Sequence, residues 1–260
     1  MSKLIDKLNL VSQGGAEPLG FRTTPSASPK PKMLLIASFA QSDTDSLADY
    51  TAGADAGLLH ISTLSSGAKA LQKMCQAVSD IPWGGWLKEI GRGEIKQMVK
   101  AGCDFIVFPA ASTPLAMLQN EEVGRILEVE PSLTEGLLRT VNELPVDAVL
   151  VGSEGDKDYS LTWHHLMLFQ RFANLLAKPL LVSMPAKVTD NELRALWEAG
   201  VDGVIVETGA GQPGARLKEL RLAIDKLTLP SPRKRGKIEA LVPPTIGRTE
   251  LPAEEEEEAE

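Results

Sequence analysis

A closed (β/α)8 barrel is the fold this sequence predicts. Three observations predict it. A four-residue motif recurs four times, a short apolar run follows each copy, and four further apolar runs lie between the copies.

The copies are Gly53-Ala54-Asp55-Ala56, Gly102-Cys103-Asp104-Phe105, Pro145-Val146-Asp147-Ala148 and Gly200-Val201-Asp202-Gly203. The runs after them are Leu58 to Ile61, Ile106 to Phe108, Val149 to Val151 and Val204 to Val206. Three copies follow a helical pattern ending in Ala-Gly, at Ala52-Gly53, Ala101-Gly102 and Ala199-Gly200. Glycine suits the left-handed position that stops a helix. Short runs that are apolar on both faces and often β-branched suit a parallel strand covered on both sides. Each copy therefore reads as a helix end, a tight loop and a strand.

The intervening runs are Met33 to Ala37, Trp83 to Leu87, Arg125 to Val129 and Pro179 to Ser183. Together they give eight strands starting near 33, 55, 83, 103, 125, 147, 179 and 202, a spacing that suits one strand–helix unit each. Capping boxes open two of the helices, Ser132 with Glu135 and Thr189 with Glu192. Unbroken alternation favours a closed barrel over an open doubly wound sheet, and none of the runs carries the charges expected at a sheet edge.

The barrel occupies 33–227. Residues 1–32 hold a short amphipathic helix pattern over 2–11, suited to plugging the barrel bottom or packing on a partner, followed by a Pro-, Ser- and Thr-rich wrap. Residues 228–260 form an extension with a short apolar piece, Ile238 to Val242, and an acidic tail expected to be solvated.

A chain of 260 residues is long enough for a large single core, and 43% hydrophobic with 24% charged residues is ordinary for a globular protein. The net charge of −8 argues against a nucleic-acid partner. The six glutamates Glu254 to Glu258 and Glu260 carry most of it, leaving a body near −2. Two cysteines and three histidines without ligand spacing predict no metal site. No apolar run approaches ~18 residues, so no membrane span is expected, and the absence of a signal-peptide pattern points to the cytoplasm. A homo-oligomer is compatible with the sequence.

In such a barrel a ligand sits at the C-terminal ends of the strands. After the eighth strand comes Glu207-Thr208-Gly209-Ala210-Gly211-Gln212-Pro213-Gly214-Ala215-Arg216. Gly209, Gly211 and Gly214 let the backbone approach a ligand, Pro213 suits a first helical turn, and free N–H groups at a helix start attract phosphate. Ser183 at the end of the seventh strand, Thr208 and Arg216 would add contacts, and Glu207 would need a partner beside an anion. The plainer reading is a Gly-rich turn that only starts the last helix.

Lys88 follows the apolar run Trp83 to Leu87, where a lysine can act as a general acid or form a carbonyl adduct. A surface lysine is the alternative. Glu128 and Glu130 share one side of the fifth strand, and one of them facing Lys88 would make an acid–base pair; structural ion pairs are the alternative. Glu154 is a second candidate base, within a polar loop from Gly152 to Ser160 that suits a lid. Its carboxylates are of the kind magnesium takes, although their spacing matches no metal motif. Otherwise it is a solvated loop with Ser160 capping the next helix. His60 sits inside an apolar strand, as a catalytic group or a hydrogen-bonded core histidine. His164 and His165 suit surface or packing roles, and Cys75 and Cys103 structural ones.

The order of runs resembles the ribulose-phosphate-binding and flavin-binding groups of aldolase-type (β/α)8 barrels. The likeness spans 33–227 and rests on the Ala-Gly-x-Asp strand starts, on Lys178-Pro179-Leu180-Leu181-Val182-Ser183, and on Gly200-Val201-Asp202-Gly203-Val204-Ile205-Val206. Asp158-Tyr159-Ser160-Leu161-Thr162-Trp163 is similar in its place to phosphoribosylanthranilate isomerase. Lys88 and Glu128 match the third-strand lysine and fifth-strand glutamate of indole-glycerol-phosphate synthase. Met184-Pro185-Ala186 stands where those groups carry a glycine pair, and Ala37-Ser38 replaces the isomerase's first-strand cysteine. The resemblance thus implies fold and substrate class, and no particular reaction.

Three functions remain in view. One is an isomerase- or lyase-type enzyme acting on a small phosphorylated or carbonyl metabolite, with its phosphate at the loop after the eighth strand. A second is a non-catalytic barrel that binds a ligand or serves assembly. The third is an oxidoreductase binding flavin mononucleotide (FMN) through the same loop.

Overall fold

The computed structural model describes residues 2–12, 32–39, 51–62, 64–88, 94–115, 123–152, 160–185, 187–207 and 213–227. Its strands are β1 (Leu34–Phe39), β2 (Ala56–Ile61), β3 (Trp83–Leu87), β4 (Phe105–Pro109), β5 (Gly124–Val129), β6 (Ala148–Val151), β7 (Leu180–Met184) and β8 (Gly203–Glu207). They form a closed parallel barrel in chain order, with β8 returning to β1 through pairs such as Leu34 with Gly203. The helices among the described residues are α1 (Lys3–Ser12), α2 (Leu64–Ala77), α3 (Glu94–Lys100), α4 (Glu135–Val141), α5 (Trp163–Leu175), α6 (Asp190–Glu198) and α7 (Pro213–Lys226). None is long and apolar enough to cross a membrane.

Alternation along each strand divides the apolar residues into two clusters. Leu34, Ile36, Leu58, Val107, Ile126 and Leu150 belong to the barrel interior. Leu35, Leu59, Ile106, Leu127 and Val149 belong to the layer between barrel and helices. Both faces being buried is why the runs show no polar alternation.

Two glycines make room for the largest rings. A Cβ on Gly84 would lie 2.3 Å from the Phe105 ring inside the barrel, and one on Gly57 would lie 2.3 Å from the Trp83 ring. Gly84→Ala is expected to cost about 1–3 kcal/mol by overpacking. A fall in the urea midpoint would show it, whereas Gly136→Ala, inside α4 with nothing within 4 Å, should raise the midpoint slightly.

The recurring aspartates are strand clamps. Asp55 accepts from the Leu35 N–H at 2.9 Å, Asp147 from the Arg125 N–H at 2.7 Å and Asp202 from the Leu180 N–H at 2.7 Å. Each carboxylate at the head of an even strand thus holds the head of the preceding odd one. The turns before Asp55, Asp104 and Asp202 use Gly53, Gly102 and Gly200, at φ of 99°, 95° and 91°, and those at Gly102 and Gly200 stop α3 and α6 as the sequence predicts.

Asp104 breaks the pattern. Its Oδ1 accepts from the Lys3 N–H at 2.8 Å, and its Oδ2 from the Leu4 N–H at 3.0 Å and the Ser2 hydroxyl at 2.8 Å. A carboxylate about a hundred residues away therefore caps the start of α1. Leu4, Ile5 and Leu8 enter the interior cluster, and a Cβ on Gly124 would meet Ile5 at 2.7 Å. Of the two expected uses of this helix, the structure shows the plug.

Two caps differ from expectation. The start of α4 is Thr134, with no side-chain cap, and the Ser132 hydroxyl donates instead to Glu130, so the expected Ser132–Glu135 box is absent. Helix α5 is capped by Thr162, not Ser160: its N–H donates to His165 Nδ1 at 3.1 Å, while its hydroxyl accepts from the His165 N–H. Thr162 lies directly before the helix, which puts its oxygen within reach of the first-turn N–H groups. The Thr189–Glu192 box of α6 is present.

Candidate active site

Following the interior positions toward the C-terminal end of each strand leads to one top layer. Ile36 is succeeded by Ser38, Leu58 by His60, Gly84 by Trp86 and Val107 by Pro109. On the other side Ile126 is succeeded by Glu128, Leu150 by Gly152, Leu181 by Ser183 and Ile205 by Glu207. The apolar interior therefore ends in a ring of largely polar groups.

Four of these are connected. Ser38 Oγ and His60 Nε2 share a hydrogen bond of 2.8 Å. The His60 ring stacks on Trp86, with centroids 4.6 Å apart and planes 24° from parallel. Trp86 Nε1–H donates to Glu128 Oε2 at 2.7 Å. Since β4 lies between β3 and β5, this bond reaches past one strand of the mouth. Ser38 is buried, and His60, Trp86 and Glu128 are half-buried.

Burial pushes the Glu128 carboxyl above its ordinary value, while the Trp86 N–H and the Lys88 ammonium pull against the rise. Lys88 itself is exposed, just beyond β3, with its backbone oxygen accepting from Ser112 at 3.4 Å. It shares the inward parity of Trp86 and acts on Glu128 by charge. Glu130, exposed beyond the end of β5, bonds to Ser132. Of the two glutamates on that strand, Glu128 is the one joined to the cluster.

The other expected contacts are scattered. Ser183 and Glu207 are half-buried in the top layer. Gly214 lies in the first turn of α7, and Pro213 opens that helix as expected. The Arg216 guanidinium donates to Glu219 at 2.7 Å and to the Val188 oxygen, binding α7 to the loop before α6. Glu154, Thr208, Gly209 and Gly211 lie outside the described residues, and with them the lid, the carboxylates considered for magnesium and the loop considered for FMN.

Among the described residues no group of three His, Cys, Asp or Glu is placed to hold a metal. Burial raises the thiol of Cys75 to about 11 and that of Cys103 to about 12, which keeps both protonated and poor nucleophiles. His165 is engaged in the cap of α5.

Trp86 and Gly152 are the site residues that sequence reasoning missed. Trp86 carried a signal: it lies two residues before Lys88 and so shares its parity. A tryptophan inside an apolar run reads first as core.

Fold and site together define a closed (β/α)8 barrel with a polar cluster at its C-terminal mouth. Among solved structures the chain is similar to a mutant tryptophan synthase alpha-subunit from Pyrococcus furiosus, at 14% identity and a TM-score of 0.57, covering 74% of this chain and 96% of that one. It is similar to tryptophan synthase from M. tuberculosis in its aminoacrylate-bound form, at 17% identity and a TM-score of 0.55, covering 74% and 93%. It is also similar to thiamine phosphate pyrophosphorylase from Pyrococcus furiosus, at 14% identity and a TM-score of 0.56, covering 74% and 96%. No protein-family model and no curated protein sequence matches the chain. At these identities the shared property is the fold.

Proposed function

We propose that this protein is an enzyme that moves protons on a small phosphorylated or carbonyl metabolite, in isomerase or lyase chemistry, at the C-terminal mouth of its barrel. The observation that carries the reading is the connected group of Ser38, His60, Trp86 and Glu128 at the end of an otherwise apolar interior. Polar groups are costly in such a place unless partnered. A carboxyl whose proton is favoured by burial, joined through the Trp86 indole to an imidazole, is equipment for acid–base catalysis.

In this reading Glu128 takes the proton from carbon next to a carbonyl, and His60, oriented by Ser38, returns one. Lys88 offsets the negative charge that develops on the carbonyl oxygen. Thr208, Gly209, Gly211 and Gly214 hold the phosphate beside Ser183 and Glu207, where the start of α7 offers N–H groups. The enzyme names of the structural neighbours support this by analogy of fold alone.

The test is proton exchange in D2O with a panel of small ketoses, their phosphates and 2-keto acids, followed by ¹H NMR. Loss of the signal next to the carbonyl is expected for at least one compound. Lys88→Ala should abolish that exchange while leaving the thermal midpoint nearly unchanged, because the side chain is exposed. An equally active variant would remove Lys88 from the mechanism. No exchange across the panel, with a ligand retained in native mass spectrometry, would favour a barrel that binds without catalysis.

A further inference from the structure

Glu128 is held from two sides by groups that take no proton from it. On one side the Trp86 indole N–H reaches past β4 to Oε2 at 2.7 Å. On the other side Oε1 lies over Gly152, at the end of β6, where an added Cβ would stand 3.0 Å from Oε1, 3.7 Å from Cγ and 3.8 Å from Cδ. Such a contact is tight enough to displace the carboxyl by a few tenths of an ångström. The absence of a side chain at Gly152 therefore decides where the carboxyl rests. The indole is fixed in turn, because its face stacks on His60 and it packs against the interior cluster.

We infer that Trp86 and Gly152 are positioning residues that clamp the Glu128 carboxyl in one orientation, with Oε2 bound by the indole N–H and Oε1 seated over the glycine backbone. This rests on the reading of Glu128 as the base of the site. A carboxylate left to rotate samples many orientations, whereas proton transfer needs the accepting oxygen within hydrogen-bond reach of its donor. The indole sets that orientation without competing for the proton, since Nε1–H is a donor only. Trp86 thereby joins the two titratable groups of the site, His60 by its face and Glu128 by its edge.

The clamp is testable without a substrate. The chain has four tryptophans, so the ¹⁵N-labelled full-length protein gives few indole cross-peaks, and Trp86→Phe identifies the one that matters. The charged groups around this indole are His60 from β2, Lys88 beyond β3, Glu128 from β5 and, in the same top layer, Glu207 from β8. Titration through the acid and neutral range should move the Trp86 peak in a step that Glu128→Gln removes, with any His60 step retained. Gly152→Ala should shift both the peak and the midpoint of that step. The backbone there needs no left-handed φ, so alanine brings no conformational strain. A Trp86 peak that titrates identically in Glu128→Gln, or a midpoint unmoved in Gly152→Ala, would overturn the clamp. Proton exchange reads catalysis separately: the clamp can hold in a barrel with no activity, and activity can persist where the clamp fails.

Discussion

A chain lacking residues 1–12 is expected to lose cooperative unfolding and to bind ANS at neutral pH. Leu4 and Leu8 have no exposed surface and Ile5 has 8%. Burying side chains of this kind contributes about 1.5–3 kcal/mol each. Three of them approach the whole net stability of a typical domain, about 5–15 kcal/mol. The truncation also opens the barrel floor, leaving Leu34, Phe105 and Ile126 without the cover α1 provides. Asp104→Ala probes the same contact more gently. It removes the acceptor of two backbone N–H groups and one hydroxyl at exposed and part-buried positions, and should cost about 1–2 kcal/mol, the range for losing a helix N-cap acceptor. Asp147→Ala, which frees one strand N–H, should cost less by urea unfolding. An unchanged urea midpoint in Asp104→Ala would mean that the cap on α1 adds nothing.

Glu128→Gln should lower proton exchange by about 10²–10⁴-fold, the range for losing a general acid or base. It should also make the protein more stable near pH 7. Burial raises the folded pKa of Glu128 above its unfolded value. Below the unfolded pKa the group is protonated in both states and nothing is lost. As pH rises from the unfolded toward the folded pKa, the unfolded state releases its proton first and stability falls. Above the folded pKa the charged form bears the full penalty of burial. Glutamine never ionises and its amide oxygen still accepts from Trp86, so it escapes that penalty. The stability difference between variant and wild type should therefore be present at neutral pH and shrink on acidification toward the ordinary carboxylate value. A Glu128→Gln protein less stable than wild type throughout, yet equally active, would remove Glu128 from the site. A more stable, inactive variant would fit the general trade between stability and function.

The barrel was legible because its signals are local. A helix stop at Gly53, Gly102 or Gly200, an aspartate and an apolar run sit within ten residues, and the strands begin close to where those signals place them. The aspartates could be counted, but not their partners, because the Leu35, Arg125 and Leu180 N–H groups come from a neighbouring strand. Which of Ser132 and Thr134, or Ser160 and Thr162, starts a helix turns on a two-residue shift in register. His60, Lys88 and Glu128 were found by asking which polar residues end a strand. Trp86 and Gly152 were missed because their roles exist only between strands. One is defined by a bond past β4, the other by a volume it leaves to Glu128. The phosphate loop lies largely outside the described residues, and Arg216, expected to add charge there, has Glu219 and the Val188 oxygen as partners.

The cap on α1 also has a consequence in time. This helix leaves the ribosome before the strands of the barrel, and the carboxylate that receives it emerges about a hundred residues later. Until β4 has been made, Leu4 and Leu8 have no floor to close, and a ten-residue helix is marginal alone in water. The helix therefore stays undocked while β1 to β4 are made. Its apolar face is covered in full only later, because Ile126, Leu181 and Ile205 of the same cluster come from strands made after β4. Base and mouth are two ends of the same strands, so the floor that α1 plugs is complete only when β8 pairs with β1.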